Sequence, residues 1–268
     1  MQALAQIHGW PAEHAAAGVV SGGRTWARGP SGREFSWASV TKPVTALATL
    51  VAAEEGVVDL DEPAGPDGST VRHLLAHASG LPFEGTRPIS SPGRRRVYSN
   101  TGFDVLGQLV SERAEMPFQE YLHAAVLHPL GMRRTRLDGS PAAGLAGPLE
   151  DLLAFGAELL APRLIAEETL REATEVAFPG LAGVLPEFGR FEPNDWGLGF
   201  ELRDAKSPHW TGTRNSERTF GHFGGSGTFL WLDPDAGAAC ACLTDLEFGD
   251  WAKDAWPRLS DAVLAELG

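Results

Sequence analysis

Patterns typical of β-strands lie at both ends of this 268-residue chain, and patterns typical of helices fill the middle. Near the start, two short apolar segments flank Gly22-Gly23, a pair that favours a hairpin. Near the end, two more flank residues 233–237, where Asp, Pro and Gly indicate a turn. Between residue 56 and about residue 174, apolar residues recur at helical spacing. The sequence therefore predicts one sheet built from both ends of the chain, with helices inserted between its halves.

The boundaries of this arrangement follow from where the pattern changes. Residues 1–55 and 190–268 are predicted to form a sheet lobe and residues 56–189 a mainly helical lobe, with the active site at the junction. The predicted class is α/β, in the α+β sense, with an antiparallel sheet flanked by helices. Strands are expected at 15–21, 24–28, 197–203, 218–221, 227–233 and 237–244. The last helix, 251–267, is expected to break at Pro257, because proline has no amide hydrogen to donate.

Ser39-Val40-Thr41-Lys42 opens the most apolar helix predicted in the chain. If Ser39 lies at the helix start, side chains three residues apart share a face, and the Lys42 amine lies over the Ser39 hydroxyl. Burial can lower the pKa of a lysine until it acts as a base for a serine nucleophile, whereas an arginine keeps its proton. The structural alternative is that Ser39 caps the helix while Lys42 extends its amine to solvent.

Tyr98-Ser99-Asn100 lies where an irregular segment meets the next predicted helix. Beside Lys42, the Tyr98 phenol is expected to be held near its ionised form and to act as a base and then as an acid. Asn100 offers an amide that can hold a lysine or a substrate carbonyl. The structural alternative is that Asn100 caps the helix and Tyr98 anchors the loop.

A glycine-rich segment, 221–228, leads into the strand predicted at 227–233. Glycine clusters at a strand start indicate a bulge or a close approach of the backbone. If a ligand approaches there, backbone amides of this segment can bind a developing oxyanion, and His222 can relay a proton or form a polar wall. The structural alternative is a bulge with a histidine at the sheet edge.

In order and rough spacing, these three elements match one family. The chain resembles the serine β-lactamase and penicillin-binding-protein superfamily, in the group that holds class C-like β-lactamases, DD-peptidases and β-lactamase-like esterases. The resemblance is carried by Ser39 to Lys42, by the stretch that ends in His77-Ala78-Ser79-Gly80-Leu81-Pro82, by Tyr98-Ser99-Asn100 and by residues 219–245. It implies a β-lactamase-like fold and a hydrolase that needs no cofactor and no metal.

The resemblance also implies a role for each matching residue. It makes Ser39, Lys42 and Tyr98 the catalytic residues, and Asn100, His222, Gly224 and Gly225 the residues that contact the substrate or its oxyanion. Ser39 is then the nucleophile that becomes acylated, and Lys42 and Tyr98 manage its proton as a coupled pair. Asn100 orients Lys42, and the backbone N–H groups of Ser39 and Gly225 form the oxyanion hole.

Two positions depart from the family pattern. Phe223 stands where the family has a hydroxyl residue that helps to bind a substrate carboxylate, and His222 replaces the lysine that is usual in the lactamases. Both changes weaken the anchoring of a carboxylate, so a neutral acyl substrate is expected. The connection at 61–69 is also short for the family, which predicts an open cleft.

The composition argues against several partners and locations. A net charge of −13 disfavours nucleic acid and anionic membrane surfaces as partners. Residues 1–20 contain no lysine or arginine, and no apolar stretch is long enough for an export signal or a membrane span. A cytoplasmic protein is therefore expected. Cys240 and Cys242 lie two apart in a predicted strand and are expected to be buried free thiols.

Two further clusters are given structural interpretations. His73 and His77 are four apart, as in helical zinc pairs, but no carboxylate or third ligand accompanies them, so no metal site is predicted. Arg94-Arg95-Arg96 is interpreted as a solvated loop or a substrate rim.

The sequence thus predicts a serine hydrolase that forms an acyl-enzyme on Ser39, with an esterase or amidase acting on small acyl substrates as the first choice. Within the same class, the alternative is a β-lactamase or a D-amino-acid (DD-) peptidase. From another class, the alternative is a non-catalytic binding or sensor module that kept the fold. The oligomeric state stays open.

Overall fold

The computed structural model describes residues 1–268, and its main feature is a six-stranded antiparallel sheet. The strands are β1 (Ala15–Ser21), β2 (Arg24–Arg28), β3 (Glu34–Ser36), β4 (Arg136–Leu137), β5 (Leu145–Pro148), β6 (Gly183–Leu185), β7 (Gly189–Phe191), β8 (Glu201–Leu202), β9 (Phe220–Gly224), β10 (Thr228–Asp233) and β11 (Ala238–Thr244). The large sheet has the order β2-β1-β11-β10-β9-β8. Because β1 pairs with β11, the prediction of a sheet built from both ends is confirmed.

Helices cover this sheet and fill the middle of the chain. They are α1 (Thr41–Glu54), α2 (Val71–Leu75), α3 (Asn100–Ala114), α4 (Phe118–Leu122), α5 (Leu149–Leu160), α6 (Glu167–Ala173) and α7 (Asp250–Leu267), with 3-10 helices at Ala3–Gly9 and Ala38–Val40 and a π-helical turn at His123–Leu127. None of them combines the length and the apolar character needed to cross a membrane.

Both faces of the large sheet are buried at its central strands β1, β9, β10 and β11, where side chains alternate between two core clusters. In β10, Leu230 and Leu232 belong to the larger cluster, beside α5, whereas Phe229 and Trp231 belong to the smaller one, which also contains residues of α7. Cys240 and Cys242 of β11 share the second face and are free and buried, as predicted.

The expected break of the last helix at Pro257 is wrong, because α7 continues through this residue. An interior proline costs about 3 kcal/mol or more. Trp256, Leu259 and Val263 are fully buried on the same helix, and burying each such side chain contributes about 1.5–3 kcal/mol. Packing of the apolar face therefore outweighs the lost hydrogen bond and holds the helix together.

Two small sheets have no counterpart in the sequence analysis. β3, β5 and β4 form one of them, and the hairpin of β6 and β7 forms the other. These strands have only two to four residues each, too few for an alternating pattern to be recognised. Likewise, the strand expected at 197–203 is reduced to the two residues of β8.

The fold brings three chain segments together at the end of β9. The 3-10 helix Ala38–Val40 packs against β9, and α1 packs against both β9 and α3. Every α1 residue from Thr41 to Ala52 is buried, so the start of this helix is held from all sides. The residues singled out in the sequence lie at this meeting point.

Candidate active site

Ser39 lies in the short 3-10 helix that leads directly into α1. The residue before it, Ala38, has a φ of 45°, a left-handed conformation that is strained for a residue other than glycine. Lys42 follows one turn later, and its Nζ lies 3.1 Å from the Ser39 Oγ. The spacing of the two residues thus produces the contact that the sequence predicts.

Lys42 is fully buried and is held by three neutral groups. Besides Ser39, its Nζ contacts the Asn100 Oδ1 at 2.7 Å and the Ala142 carbonyl oxygen at 3.0 Å. Burial lowers the pKa of Lys42 to about 7, although the charge of Asp104 acts in the opposite direction. The neutral amine is therefore accessible near neutral pH.

The contacts of the neutral amine define where its lone pair points. An amine has two protons and one lone pair, and the Asn100 and Ala142 oxygens can only accept hydrogen bonds. Both protons are therefore donated to these oxygens. The lone pair then faces the Ser39 hydroxyl, which is the only one of the three contacting groups that can donate a hydrogen bond. This geometry suits a base that removes the serine proton.

Asn100 is free to hold Lys42 because Ser99 caps α3 in its place. The Ser99 Oγ accepts a hydrogen bond from the Gly102 amide at 2.9 Å. The interpretation of Asn100 as a helix cap is therefore wrong, since Asn100 is already the first residue of the helix.

Tyr98 is neutral, contrary to the expectation that Lys42 would hold it near its ionised form. Burial raises the pKa of Tyr98 well above its usual value, and an interaction with Ser39 offsets only part of that rise. The Lys42 Nζ lies 4.7 Å from the centre of the Tyr98 ring, over the aromatic face. Lysine charge therefore interacts with the ring, and the phenol keeps its proton.

His222 is neutral as well, and its hydrogen bonds fix the position of its proton. The His222 Nδ1 lies 2.6 Å from the Phe223 carbonyl oxygen, which can only accept, so Nδ1 carries the hydrogen. The His222 Nε2 lies 3.4 Å from the Tyr98 hydroxyl and can accept from it. Burial, followed by the charge of Lys42, lowers the pKa of His222 to about 3.

Gly224 and Gly225 have different structural roles at the end of β9. A Cβ at Gly224 would lie 2.6 Å from the Trp37 carbonyl oxygen, so glycine allows β9 to approach the serine segment. Gly225 faces open space instead, and its amide makes no hydrogen bond within the protein. Such a free amide beside Ser39 is suited to binding an oxyanion.

These groups surround a cleft of about 260 Å³. Of the predicted site residues, the cleft is lined by Ser39, Tyr98, His222 and Gly225, while Lys42, Asn100 and Gly224 are not among its lining residues. Its apolar walls are Phe83, Leu185, Trp196, Phe223 and Phe248. The carboxylates of Glu187, Glu201 and Glu247 also line it, and no lysine or arginine does.

His77 supports this site although the sequence analysis gives it no role there. Its Nδ1 accepts the Ser99 amide at 3.2 Å, and its ring packs on Tyr98 and Trp196, with centroid distances of 4.6 and 4.7 Å. α2 ends at Leu75, so His77 does not share a helical face with His73. Its place in the His77-to-Pro82 stretch is the sequence signal for this role.

Arg96 corrects the interpretation of the arginine triplet. Only 3% of Arg96 is exposed. Its guanidinium donates to four carbonyl oxygens, those of Ala76, Ala177, Phe178 and Asn194. Burial lowers the pKa of Arg96 to about 10, which leaves it charged. It ties together the segments behind Tyr98, whereas Arg94 and Arg95 are exposed as expected.

One group of possible metal ligands exists on the surface. Ligand atoms of Glu13, His14 and Asp245 lie within 4.8 Å of one another. The His14 Nδ1 already pairs with Asp245 at 2.8 Å, and such exposed groups are common without an ion.

Comparisons with known proteins show which sequences and structures the chain is similar to. The family model Beta-lactamase matches residues 8–264. The chain is 28% identical over 136 residues to penicillin-binding protein 4* of Bacillus subtilis, covering 38% of this chain and 30% of that protein. It is 30% identical over 164 residues to esterase EstB of Burkholderia gladioli, covering 44% and 42%. These matches span less than half of each relative.

A solved structure matches over nearly its whole length. The crystal structure of a β-lactamase from Mycobacterium bovis superposes with a TM-score of 0.98, at 53% identity, over 99% of each chain. The fold expected from the sequence resemblance is therefore confirmed.

Proposed function

The chain belongs to the beta-lactamase family of serine hydrolases, and we propose that it hydrolyses small neutral esters through an acyl-enzyme on Ser39. One observation carries the proposal. Lys42 is buried among neutral groups, with its pKa lowered to about 7 and its Nζ 3.1 Å from the Ser39 hydroxyl oxygen. A merely structural lysine needs no such arrangement.

In the proposed reaction, the Ser39 Oγ attacks the acyl carbonyl while its proton passes to the Lys42 Nζ. The amides of Ser39 and Gly225 hold the negative oxygen of the tetrahedral intermediate. As the intermediate collapses, the Lys42 ammonium returns this proton to the leaving alkoxide, which departs as the alcohol, and the Tyr98 hydroxyl that lines the cleft beside Ser39 keeps its own proton. Water then attacks the acyl-enzyme, and Lys42 takes its proton and returns it to Ser39.

His222 and Asn100 act as positioning residues in this account. The His222 Nε2 accepts from the Tyr98 hydroxyl, at 3.4 Å, and so restrains its direction. Asn100 fixes one of the two protons of the neutral Lys42, at 2.7 Å. Neither residue needs to change its charge during the reaction.

The charge of the cleft supports neutral substrates over carboxylates. Glu187, Glu201 and Glu247 line the cleft and no lysine or arginine does; the charge of Glu201 is paired with Lys206, and Phe223 contributes an apolar wall. A substrate carboxylate would lose hydration there without gaining a partner, which is costly. This argument favours esters over penicillins and over peptides that end in a free carboxylate.

The test compares turnover of p-nitrophenyl acetate and butyrate with that of a chromogenic cephalosporin and a peptide ending in D-Ala-D-Ala. We expect ester turnover and a transient acyl mass on the wild-type protein, and neither with Ser39→Ala. Ser36→Ala, which alters an exposed serine three residues away, is the matched control and should keep wild-type turnover.

Other outcomes would redirect the proposal. Faster hydrolysis of the cephalosporin would favour a β-lactamase, and release of D-alanine a peptidase. Acylation without turnover would favour a binding or sensor module. Equal inertness of wild type and Ser39→Ala towards every substrate would contradict the catalytic role of Ser39.

A further inference from the structure

The exposed apolar side chains of this protein are concentrated near the cleft. Five large hydrophobic residues are strongly exposed, namely Phe83, Ile89, Met116, Val176 and Val184. Three of the five, Phe83, Ile89 and Val184, with exposed fractions of 51%, 56% and 55%, line a single groove. An apolar patch of this kind indicates a binding surface more often than scattered single residues do.

The groove adjoins the cleft that contains Ser39. It has a volume of about 350 Å³ and shares Phe83, Tyr98 and Pro186 with the cleft. The ring of Phe83 stacks on that of Tyr98, with centroids 6.0 Å apart, so the pair forms a wall common to both hollows. A chain that leaves the cleft over this wall therefore enters the groove.

Strand β6 contributes to both hollows because its side chains alternate. Leu185 is buried and lines the cleft, whereas its neighbour Val184 is exposed and lines the groove. At Gly183 the strand bridges to Arg96. The buried Arg96 guanidinium binds carbonyl oxygens of three further segments, so the floor of the groove is preformed.

The cations at the groove are already engaged. Arg95 donates to the Ile89 carbonyl oxygen at 3.1 Å, and Arg190 pairs with Glu192 at 3.2 Å. The Arg96 guanidinium is buried and donates to four carbonyl oxygens. Among these arginines, the exposed side chains of Phe83, Ile89 and Val184 give the groove an apolar surface, which suits a hydrocarbon chain.

We propose that this groove binds an unbranched apolar chain of the substrate, so that the enzyme prefers esters with medium-length chains to acetates. The proposal rests on the ester hydrolysis proposed above and adds the substrate class. The chain can come from the acid or from the alcohol of the ester, and the experiment distinguishes the two.

The test measures kcat/KM along two series. One series lengthens the acid, from p-nitrophenyl acetate to the butyrate, hexanoate and octanoate. The other lengthens the alcohol, from ethyl to butyl, hexyl and octyl acetate. We expect kcat/KM to rise roughly two- to fourfold for each added methylene in one of the series, because each methylene leaves water for the groove.

Val184→Asp and Ile89→Asp should flatten this rise, because a charge in the groove repels the chain, while turnover of the shortest ester stays within about twofold of wild type. Met116→Asp, at another exposed apolar residue, is the matched control and should keep the full rise. No rise in either series, or a rise that both groove variants retain, would overturn the proposal.

A binding measurement separates the groove from the chemistry. We expect Ser39→Ala to bind octyl acetate or p-nitrophenyl octanoate at least tenfold more tightly than the corresponding short ester, as measured by calorimetry, and Val184→Asp added to that variant to remove the difference. If no ester is hydrolysed but this difference in affinity is found, the proposal that the groove binds an apolar chain is supported and the proposed hydrolysis is contradicted. Equal affinity for long and short esters would contradict the groove.

Discussion

Lys42 and Lys206 are two buried lysines in surroundings of opposite character. Lys42 is held by a hydroxyl, an amide oxygen and a carbonyl oxygen, and no carboxylate contacts it. Lys206 contacts the Glu201 Oε1 at 2.7 Å and the Asp195 carbonyl oxygen at 2.8 Å. The difference in environment is one carboxylate.

That carboxylate remains charged. Burial alone would raise the pKa of Glu201, but the charges of Lys206 and His209 and their hydrogen bonds lower it to about 2. Its second oxygen accepts from His209 at 2.9 Å and from Trp210 at 3.0 Å. Lys206 is thus part of a satisfied ion-paired cluster, whereas Lys42 is left to lose its proton. The same residue type is structural in one place and a candidate base in the other.

The largest expected effect is on catalysis, from Lys42→Arg. The variant keeps the positive charge but has no accessible neutral form, so it cannot take the Ser39 proton. We expect kcat/KM for p-nitrophenyl butyrate to fall by about 10²- to 10⁴-fold. Lys253→Arg is the matched control at a partly exposed lysine and should stay within about twofold of wild type. Retention of activity in Lys42→Arg would contradict the claim that Lys42 is the base.

Glu201→Gln tests the claim that Lys206 has a structural role. This change leaves Lys206 buried without a carboxylate, and breaking a buried ion pair in this way costs about 3–5 kcal/mol. The free energy of unfolding, measured in urea, should fall by that amount. Glu247→Gln, at an exposed carboxylate of the same cleft, should change it by less than about 0.5 kcal/mol. A similarly small change in Glu201→Gln would show that the ion pair is dispensable.

Asn100→Asp would give Lys42 the kind of partner that Lys206 has. A carboxylate at this position favours the charged amine and should raise the pKa of Lys42 by about 1–3 units. Because the base must be neutral, kcat/KM should rise with pH through about 7 in the wild type and through a correspondingly higher pH in the variant. Activity at pH 7 should therefore fall and recover in alkaline buffer. An unshifted profile would contradict the role of Lys42 as base.

The smallest expected effect comes from Asp104→Asn. The charge of Asp104 raises the pKa of Lys42 against the effect of burial. Asp104 is exposed, so solvent screens this interaction. Its removal should move the rise of kcat/KM to lower pH by less than about one unit. A shift to higher pH would have the wrong sign for this account.

The sequence predicts those parts of the site that depend on local spacing. Ser39 and Lys42 meet because they are three residues apart at a helix start, and the two terminal hairpins have recognisable turns. The Ala142 carbonyl could not be predicted, because any residue supplies such an oxygen and only the fold brings it to Lys42. Tyr98 keeps its proton because it is buried, and the sequence does not reveal this burial. The expected proximity of Lys42 alone favoured an ionised phenol.

Arg96 and Pro257 illustrate the same limit in the fold. Arg96 cannot be told from Arg94 and Arg95 by residue type, and its burial depends on four carbonyl oxygens from three other segments. Pro257 carries a true local signal for a helix break, but the buried Trp256 and Leu259 outweigh it. Both errors arise where tertiary packing decides against the local pattern.

The most direct test measures the ionisation of Lys42 itself. The chain contains only three lysines, Lys42, Lys206 and Lys253. Labelling lysine with ¹³C at Cε therefore gives three NMR signals, which Lys42→Arg and Lys253→Arg assign. We predict that the Lys42 signal titrates with a pKa of about 7 in the free protein. A Lys42 signal that stays in its charged form up to pH 9 would contradict the claim that this buried lysine is the base for Ser39.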